Sequence, residues 1–227
     1  MNEDSLYADA GKRLFDLVAA SAGLLVIWPF LLAVAVTAKI TSAGPVFFRQ
    51  TRVGRFGRAF QIFKFRSMRT DGAGPQITAA DDPRITPLGA WLRKTKIDEL
   101  PQLINVLRGE MSLVGPRPEV PRFTAHYSQE QLEVLKARPG ITGLSANIHE
   151  EEILAQSTDR EAFYIEKVLP QKLATDLTYC SKITLSTDMR ILLGTFAKLL
   201  SRVQHPHKVL SHPARTSLGK SSEQQTI

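Results

Sequence analysis

The hydrophobic positions of this chain fall into one unbroken block followed by several periodic segments. Residues 17–38, LVAASAGLLVIWPFLLAVAVTA, carry no charge, and their number matches the ~20 residues that a membrane-spanning helix needs. Lys12 and Arg13 precede the block, and Lys39, Arg49, Arg52, Arg55 and Arg58 follow it. Basic residues at both ends give no asymmetry that would orient a span. Pro29 stands near the middle, where it removes a backbone donor and crowds the preceding turn. Each arm then reaches only about 15–20 Å, short of a hydrocarbon core of ~30 Å. The pattern predicts a helix-break-helix at Trp28-Pro29 that enters and leaves through one leaflet. A kinked helix crossing the bilayer is the competing expectation, since proline is tolerated in spanning helices. A signal peptide fits less well, because the stretch is too long and no small-x-small cleavage site follows. A buried helix of a soluble protein fits least, because the run is apolar on every face.

Beyond the block the periods shorten. Residues 46–68 hold two strand-like pieces, the second marked by Phe60, Ile62, Phe63 and Phe65, with a turn at Gly54–Gly57. Residues 70–83 are rich in Gly, Pro and Asp and read as a mobile loop. Leu88, Trp91 and Leu92 mark a basic helix that ends in Arg93-Lys94. Leu100, Leu103, Ile104 and Leu107 fall at i, i+3, i+4 and i+7, which predicts an amphipathic helix over 98–109 with Pro101 in its first turn and Gly109 just past its end. Residues 112–122, SLVGPRPEVPR, read as an extended, proline-stiffened loop. Further helices are expected near 128–137, across about 150–180 and over 186–202; the last has an apolar side suited to packing on the domain or to the membrane interface. Residues 203–227 lack apolar periodicity and are expected to be disordered. The fold class is α+β, mostly helical, with a small β-hairpin and amphipathic interfacial helices.

Charge narrows the partners. The 29 basic and 22 acidic residues leave a formal +7, which suits nucleic acid, anionic lipid or a phosphorylated substrate. Basic and aromatic residues interleave from Arg49 to Arg69 in a manner that could contact nucleic acid, but their place just after a membrane segment favours lipid headgroups. A single cysteine, Cys180, excludes an internal disulfide, and no Cys/His cluster has zinc spacing.

The candidate chemistry lies at Asp98-Glu99. Adjacent carboxylates at a predicted helix start are most often capping residues, and neighbours on a helix point about 100° apart. The surroundings raise their interest. Arg93 and Lys94 come just before, Arg117 is held between Pro116 and Pro118, and Arg138 precedes Pro139-Gly140. Arginines bind phosphate oxyanions in fork geometry, and a divalent cation offsets repulsion between carboxylate and phosphate.

These residues carry a resemblance. KRLFDLVAASAGLL (12–25), GPVFFRQTRVG (44–54), FKFRSMR (63–69), ITPLGAWLRKTKIDELPQLINVLRGEMSLVGPRPE (85–119) and RPGITG (138–143) together resemble the monotopic bacterial sugar transferases, the polyprenyl-phosphate phosphoglycosyl transferases, over about residues 10–200. The resemblance is to the small form, without the extra N-terminal membrane helices of larger relatives. It implies a re-entrant segment over 1–40, a catalytic domain over 41–202 on the cytoplasmic face of the bacterial inner membrane, and a polar tail over 203–227. It implies a two-step, Mg2+-dependent reaction in which Asp98 attacks the β-phosphate of a UDP-sugar and UMP leaves. Undecaprenyl phosphate then takes the phosphosugar from the aspartyl intermediate. Glu99 is the second member of the dyad, Asp98 and Glu99 are the expected metal ligands, and Arg93, Arg117, Lys64 and Arg138 are expected to hold phosphates. Membrane lipids are further partners, nucleic acid is not, and a homo-oligomer is allowed. Two departures stand out. Trp28-Pro29 replaces the family's frequent Ser-Pro at the break, so the hydroxyl that could satisfy a freed carbonyl is missing. LSANIHEEE (144–152) replaces a Gln-Val-Asn-Gly-Arg-like stretch, which leaves the nucleotide and sugar contacts there open. The rival readings are a membrane-anchored module that binds anionic lipid or nucleic acid, and a degenerate relative that serves as an assembly scaffold.

Overall fold

The computed structural model describes residues 7–69, 82–147 and 159–204. Most of the loop expected at 70–83, residues 148–152 of the departing stretch, and all but the first two residues of the expected tail lie outside the described residues.

The apolar block forms one helix, α1 (Lys12–Thr41), which runs through Trp28 and Pro29 without interruption. This corrects the expected break. Pro29 deprives the helix of one backbone hydrogen bond, but side chains on both sides of it dock on the same body. Ala20, Leu24 and Ile27 pack with Phe60, Ile62, Leu103, Val106 and Met111. Leu31, Val34 and Ala35 pack with Phe65 and Leu92. These positions advance in steps of three and four, so they form one stripe of a continuous helix. The other faces are open, with Leu25 74% and Val26 76% exposed. Among the described residues α1 is the one helix long and apolar enough to cross a membrane.

Polar contacts fix both ends of α1. Asp188 is wholly buried and accepts hydrogen bonds from Tyr7 (2.7 Å), Lys12 (2.5 Å) and Tyr179 (2.7 Å). Asp16 Oδ1 accepts from the Leu113 N–H at 3.0 Å. At the far end the Arg66 guanidinium donates to Ala38 O (3.1 Å) and Ser42 O (2.7 Å).

The expected hairpin is present. β1 (Phe47–Val53) pairs antiparallel with β2 (Ala59–Phe65), with Phe47 opposite Phe65 and Val53 opposite Ala59. The turn between them holds Gly57 at φ 75, a left-handed value that glycine adopts freely. Helix α2 (Pro87–Thr95) begins where the Thr86 hydroxyl accepts from the Gly89 N–H and ends at Lys96, itself left-handed at φ 57.

The helix expected over 98–109 is shorter and starts later. Ile97–Gln102 is a 3-10 turn, and only Leu103–Leu107, α3, is α-helical. Pro101 supplies no N–H to an α-helical ladder, and tighter turns tolerate such short stretches. Asp98 and Glu99 thus sit in a 3-10 turn, not at an α-helical N-terminus. Gly109 closes the segment at φ 80, as its spacing predicts.

Two strands were hidden in the proline-rich segments. β3 (Ser112–Val114) runs parallel to β4 (Gly140–Thr142), joining SLVGPRP to RPGITG. Here backbone meets backbone. A Cβ on Gly115 would lie 2.3 Å from Arg138 O, and one on Gly140 would lie 2.1 Å from Gly115 N, so only glycine fits.

The rest is helical. After α4 (Pro121–Thr124) comes a 3-10 turn, Gln131–Lys136, in place of the α-helix expected near 128–137. α5 (Arg160–Phe163) passes through a π-turn into α6 (Leu169–Cys180), and α7 (Leu185–Gln204) follows. Leu169 and Leu173 of α6 pack with Val120, Phe123, Val134 and Tyr164. α7 leaves Leu193 and Phe196 exposed. The molecule is therefore mostly helical, with a long apolar N-terminal helix and a small antiparallel hairpin.

The glycine contacts give a test. Gly115→Ala is expected to cost about 1–3 kcal/mol through overpacking. Gly194→Ala, in mid-α7 with nothing within 4 Å of the added Cβ, should gain about 0.5–1 kcal/mol. Thermal unfolding of the two variants in detergent should move in opposite directions.

Candidate active site

Three segments distant in sequence meet at Glu99. The 3-10 turn brings Asp98 and Glu99, both buried. β2 brings Lys64, whose Nζ donates to Glu99 Oε1 at 2.8 Å. The loop after β3 brings Arg117, whose Nη2 lies 3.5 Å from the same oxygen. Alternation along β2 explains Lys64: with Phe60 and Ile62 at i−4 and i−2 facing the core, Lys64 shares their face.

The two neighbouring carboxylates differ in kind. Burial alone would raise the pKa of Glu99, but Lys64, Arg117 and Lys96 outweigh it and hold the carboxylate well below its usual range. Burial and the Glu99 charge push Asp98 upward, against the pull of Lys64, Lys96 and Arg93. Asp98 Oδ1 is buried and has no hydrogen-bond partner. Lys64 is itself lowered, first by burial, with Glu99 acting against that. Glu99 is thus a locked anion, while Asp98 keeps an oxygen uncommitted.

The other expected residues fall in different places. Arg93, in the last turn of α2, acts on Asp98 electrostatically, and its Nη1 contacts Met68 Sδ at 3.9 Å. Arg138 is engaged elsewhere: its Nε donates to Gly109 O at 3.2 Å, closing the end of α3. Trp28 and Pro29 belong to the exposed side of α1. Two residues went unnoticed in the sequence. Lys96 acts on both carboxylates from a left-handed position that no local pattern announces. Asp176, on α6, accepts from the Arg117 N–H at 3.3 Å across 59 residues, a contact that only the tertiary fold creates.

Among the described residues no group of three or more His, Cys, Asp or Glu side chains could hold a metal ion. Two carboxylates with a free oxygen suit a hard cation that keeps waters and shares substrate phosphates. Asp98 and Glu99 therefore fit Mg2+ as partial ligands, not as a closed cage.

Comparison with known proteins identifies the family of the chain. Residues 7–202 match the family described as bacterial sugar transferase. The exopolysaccharide production protein PSS of Rhizobium leguminosarum bv. phaseoli is 43% identical over 200 residues, which cover 84% of this chain and 96% of that protein. The UDP-glucose:undecaprenyl-phosphate glucose-1-phosphate transferase of Caulobacter vibrioides is 40% identical, over 85% of this chain and 71% of that protein. The UDP-N-acetylgalactosamine-undecaprenyl-phosphate N-acetylgalactosaminephosphotransferase of Aeromonas hydrophila is 37% identical, over 84% of this chain and 44% of that protein.

Removing one partner from a mostly buried ion pair strands the other. Lys64→Met and Glu99→Gln are each expected to lower stability by about 2–4 kcal/mol. The double variant should lose less than the sum, by about 1 kcal/mol or more. Chemical denaturation of the four proteins measures the coupling, and strict additivity would mean that the pair is not an energetic unit.

Proposed function

The chain belongs to the bacterial sugar transferases, and we propose from this premise that it transfers a phosphosugar from a UDP-sugar to undecaprenyl phosphate with release of UMP, starting an exopolysaccharide or related glycoconjugate. The observation that carries the reading is the unequal carboxylate pair: Glu99 pinned by Lys64 and Arg117, and Asp98 beside it with Oδ1 unbonded. The names of the Caulobacter and Aeromonas relatives agree on the nucleotide and the lipid and differ in the sugar. The proposal accordingly extends to UDP and undecaprenyl phosphate and leaves the sugar open.

In the proposed reaction Asp98 Oδ1 attacks the β-phosphorus of the UDP-sugar. The bond from that phosphorus to the bridging oxygen breaks, and its electron pair leaves with UMP. The phosphosugar is then held as an acyl phosphate on Asp98. A phosphate oxygen of undecaprenyl phosphate attacks the same phosphorus, and the Asp98 carboxylate departs. This is nucleophilic catalysis, one difficult displacement divided into two easier ones. Glu99 keeps Lys64 and Arg117 converged, so that their charges face the phosphates. Arg93 and Lys96 add positive charge on the Asp98 side. Mg2+ held by Asp98 and Glu99 would offset the negative charge of the diphosphate and of the departing UMP.

The lipid acceptor requires a site at a membrane. We place both ends of α1 on the cytoplasmic side, with the exposed apolar faces of the unbroken helix immersed in one leaflet. Tyr7, Lys12 and Asp16 at one end, and Ala38 and Ser42 at the other, are bound to the same folded body. Ends separated by a ~30 Å hydrocarbon core could not both make those contacts. The exposed apolar faces of α1 and of α7 supply surface suited to lipid contact.

Purified protein supplied with Mg2+, undecaprenyl phosphate and a panel of UDP-sugars is expected to release UMP. Asp98→Asn should reduce release to background, chelation of divalent metal should do the same, and intact-protein mass spectrometry should detect a phosphosugar adduct on wild type alone. Wild-type turnover by Asp98→Asn would remove Asp98 as nucleophile. Topology is checked separately. In a Cys180→Ser background, the single substitutions Ala10→Cys and Ala43→Cys should both resist an impermeant thiol reagent in intact cells, and labelling of one end alone would establish a span.

A further inference from the structure

The loop that carries Arg117 has few backbone groups with which to hold itself. Pro116 and Pro118 have no N–H, so Gly115 and Arg117 are its only backbone donors up to Pro118. Gly115 N–H donates to Thr142 O at 2.9 Å, across the β3–β4 ladder. Arg117 N–H donates to Asp176 Oδ2 at 3.3 Å. The loop's acceptors are also used: Pro116 O takes the Gly140 N–H at 2.8 Å, and Pro118 O takes Arg52 Nη1 at 2.9 Å. Two of these four ties are made by side chains from other parts of the chain, Arg52 at Pro118 and Asp176 at Arg117 itself.

We propose that Asp176 is a positioning residue for the reaction: its carboxylate clamps the Arg117 backbone and thereby aims the Arg117 guanidinium at Glu99 and the donor phosphates. This rests on the function proposed above. Three further observations support it. Asp176 is 3% exposed, so the clamp is shielded from competing water. Its helix is bolted down on the other side of Arg117 as well: Lys172, one turn earlier on α6, donates to Glu119 Oε1 at 2.5 Å and to Tyr164 Oη at 2.6 Å. α6 thus grips the loop at Arg117 and again two residues later. Third, Asp176 Oδ1 is buried without a hydrogen-bond partner, with Ser145 the further polar group that acts on the carboxylate. Burial pushes the Asp176 pKa up to about 6, opposed by Ser145, the Arg117 N–H and Lys172. The Arg117 N–H is among the groups that favour the ionised carboxylate, so the contact at 3.3 Å holds the charged form of Asp176.

The test is a double-mutant cycle on the full chain in nanodiscs, read as kcat/KM for UMP release. Asp176→Ala in the wild-type background is expected to lose about 10–100-fold, the range for one hydrogen bond to a charged group. In an Arg117→Ala background the same substitution should change the rate less than about threefold, because Asp176 acts through that side chain. Asp176→Asn, which keeps the shape and an acceptor, should recover at least half of the logarithmic loss. Equal losses in both backgrounds would overturn the proposal. Hydrogen exchange of the segment 115–119 gives a reading that needs no turnover. Its amides are those of Gly115, Arg117 and Glu119 alone, and Arg117 should exchange at least about tenfold faster in Asp176→Ala. Unchanged exchange there overturns the clamp, whereas absent UMP release by wild type with faster exchange in the variant faults only the assigned reaction.

Discussion

The buried carboxylate of Glu99 ties together three segments that lie far apart in the sequence. Lys64 reaches it from the hairpin and Arg117 from the loop after β3, 18 residues further along the chain than Glu99 itself. Two cations converging on one another in a protein interior repel strongly, so without Glu99 this geometry would not persist. With it the positive charges are concentrated but not exhausted. One carboxylate faces two bases, and Lys64, Lys96 and Arg93 also act on Asp98 against the charge of Glu99. A phosphate-handling site needs that imbalance: enough negative charge to assemble the cations, and too little to neutralise them.

The same constraint separates the two acidic residues. Adjacent side chains in a helical turn point in different directions, and here they meet different surroundings. Glu99 turns toward Lys64 and Arg117 and becomes a fixed anion. Asp98 turns away from hydrogen-bond partners and is raised by burial and by the charge next to it. In the proposed reaction the residue that forms and breaks a covalent bond must not be committed to a salt bridge, and the residue that organises the cations must not leave them. One dipeptide supplies both because the 3-10 turn sends its side chains apart.

How much of this was legible in the sequence depended on whether the determining interaction was local. The hairpin, the helix ending at Arg93-Lys94 and the glycine stop at Gly109 follow from alternation, periodicity and turn chemistry, and all are present. The apolar length of α1 was equally plain. Its continuity through Pro29 was not, because the packing of Ile27 on one core cluster and Leu31 on another is a tertiary fact. The helix at 98–109 was misjudged because Leu100, Leu103, Ile104 and Leu107 have the right spacing, while the left-handed turn at Lys96 and the proline at 101 favour a tighter turn first. Strands of three residues, such as β3 and β4, leave no period to read. Of the site, Asp98, Glu99, Lys64, Arg93 and Arg117 could be named from motifs; in the structure Lys64 and Arg117 meet at Glu99, while Arg93 acts on Asp98. Arg138 could be named equally well and is used to close α3, since a motif records that an arginine is present but not which carbonyl it meets. Asp176 had no signal at all.

Those local and tertiary constraints meet at the apolar helix. Phe65 and Ile97 pack in the cluster that holds Leu31, Val34 and Ala35 of α1. Each is a sequence neighbour of a site residue: Phe65 follows Lys64, and Ile97 precedes Asp98. The apolar helix therefore touches the backbone segments that carry Lys64 and Asp98, with one residue between it and the Asp98 carboxylate. For a soluble donor this closeness would serve no purpose. Under the proposed reaction, whose acceptor phosphate is tethered to a long hydrocarbon, it would remove the need to lift the head group far from the bilayer, where each exposed CH2 would cost about 0.8 kcal/mol. The uninterrupted stripe along α1 makes that closeness rigid: a helix held at both ends and along its length cannot swing away from the site it supports.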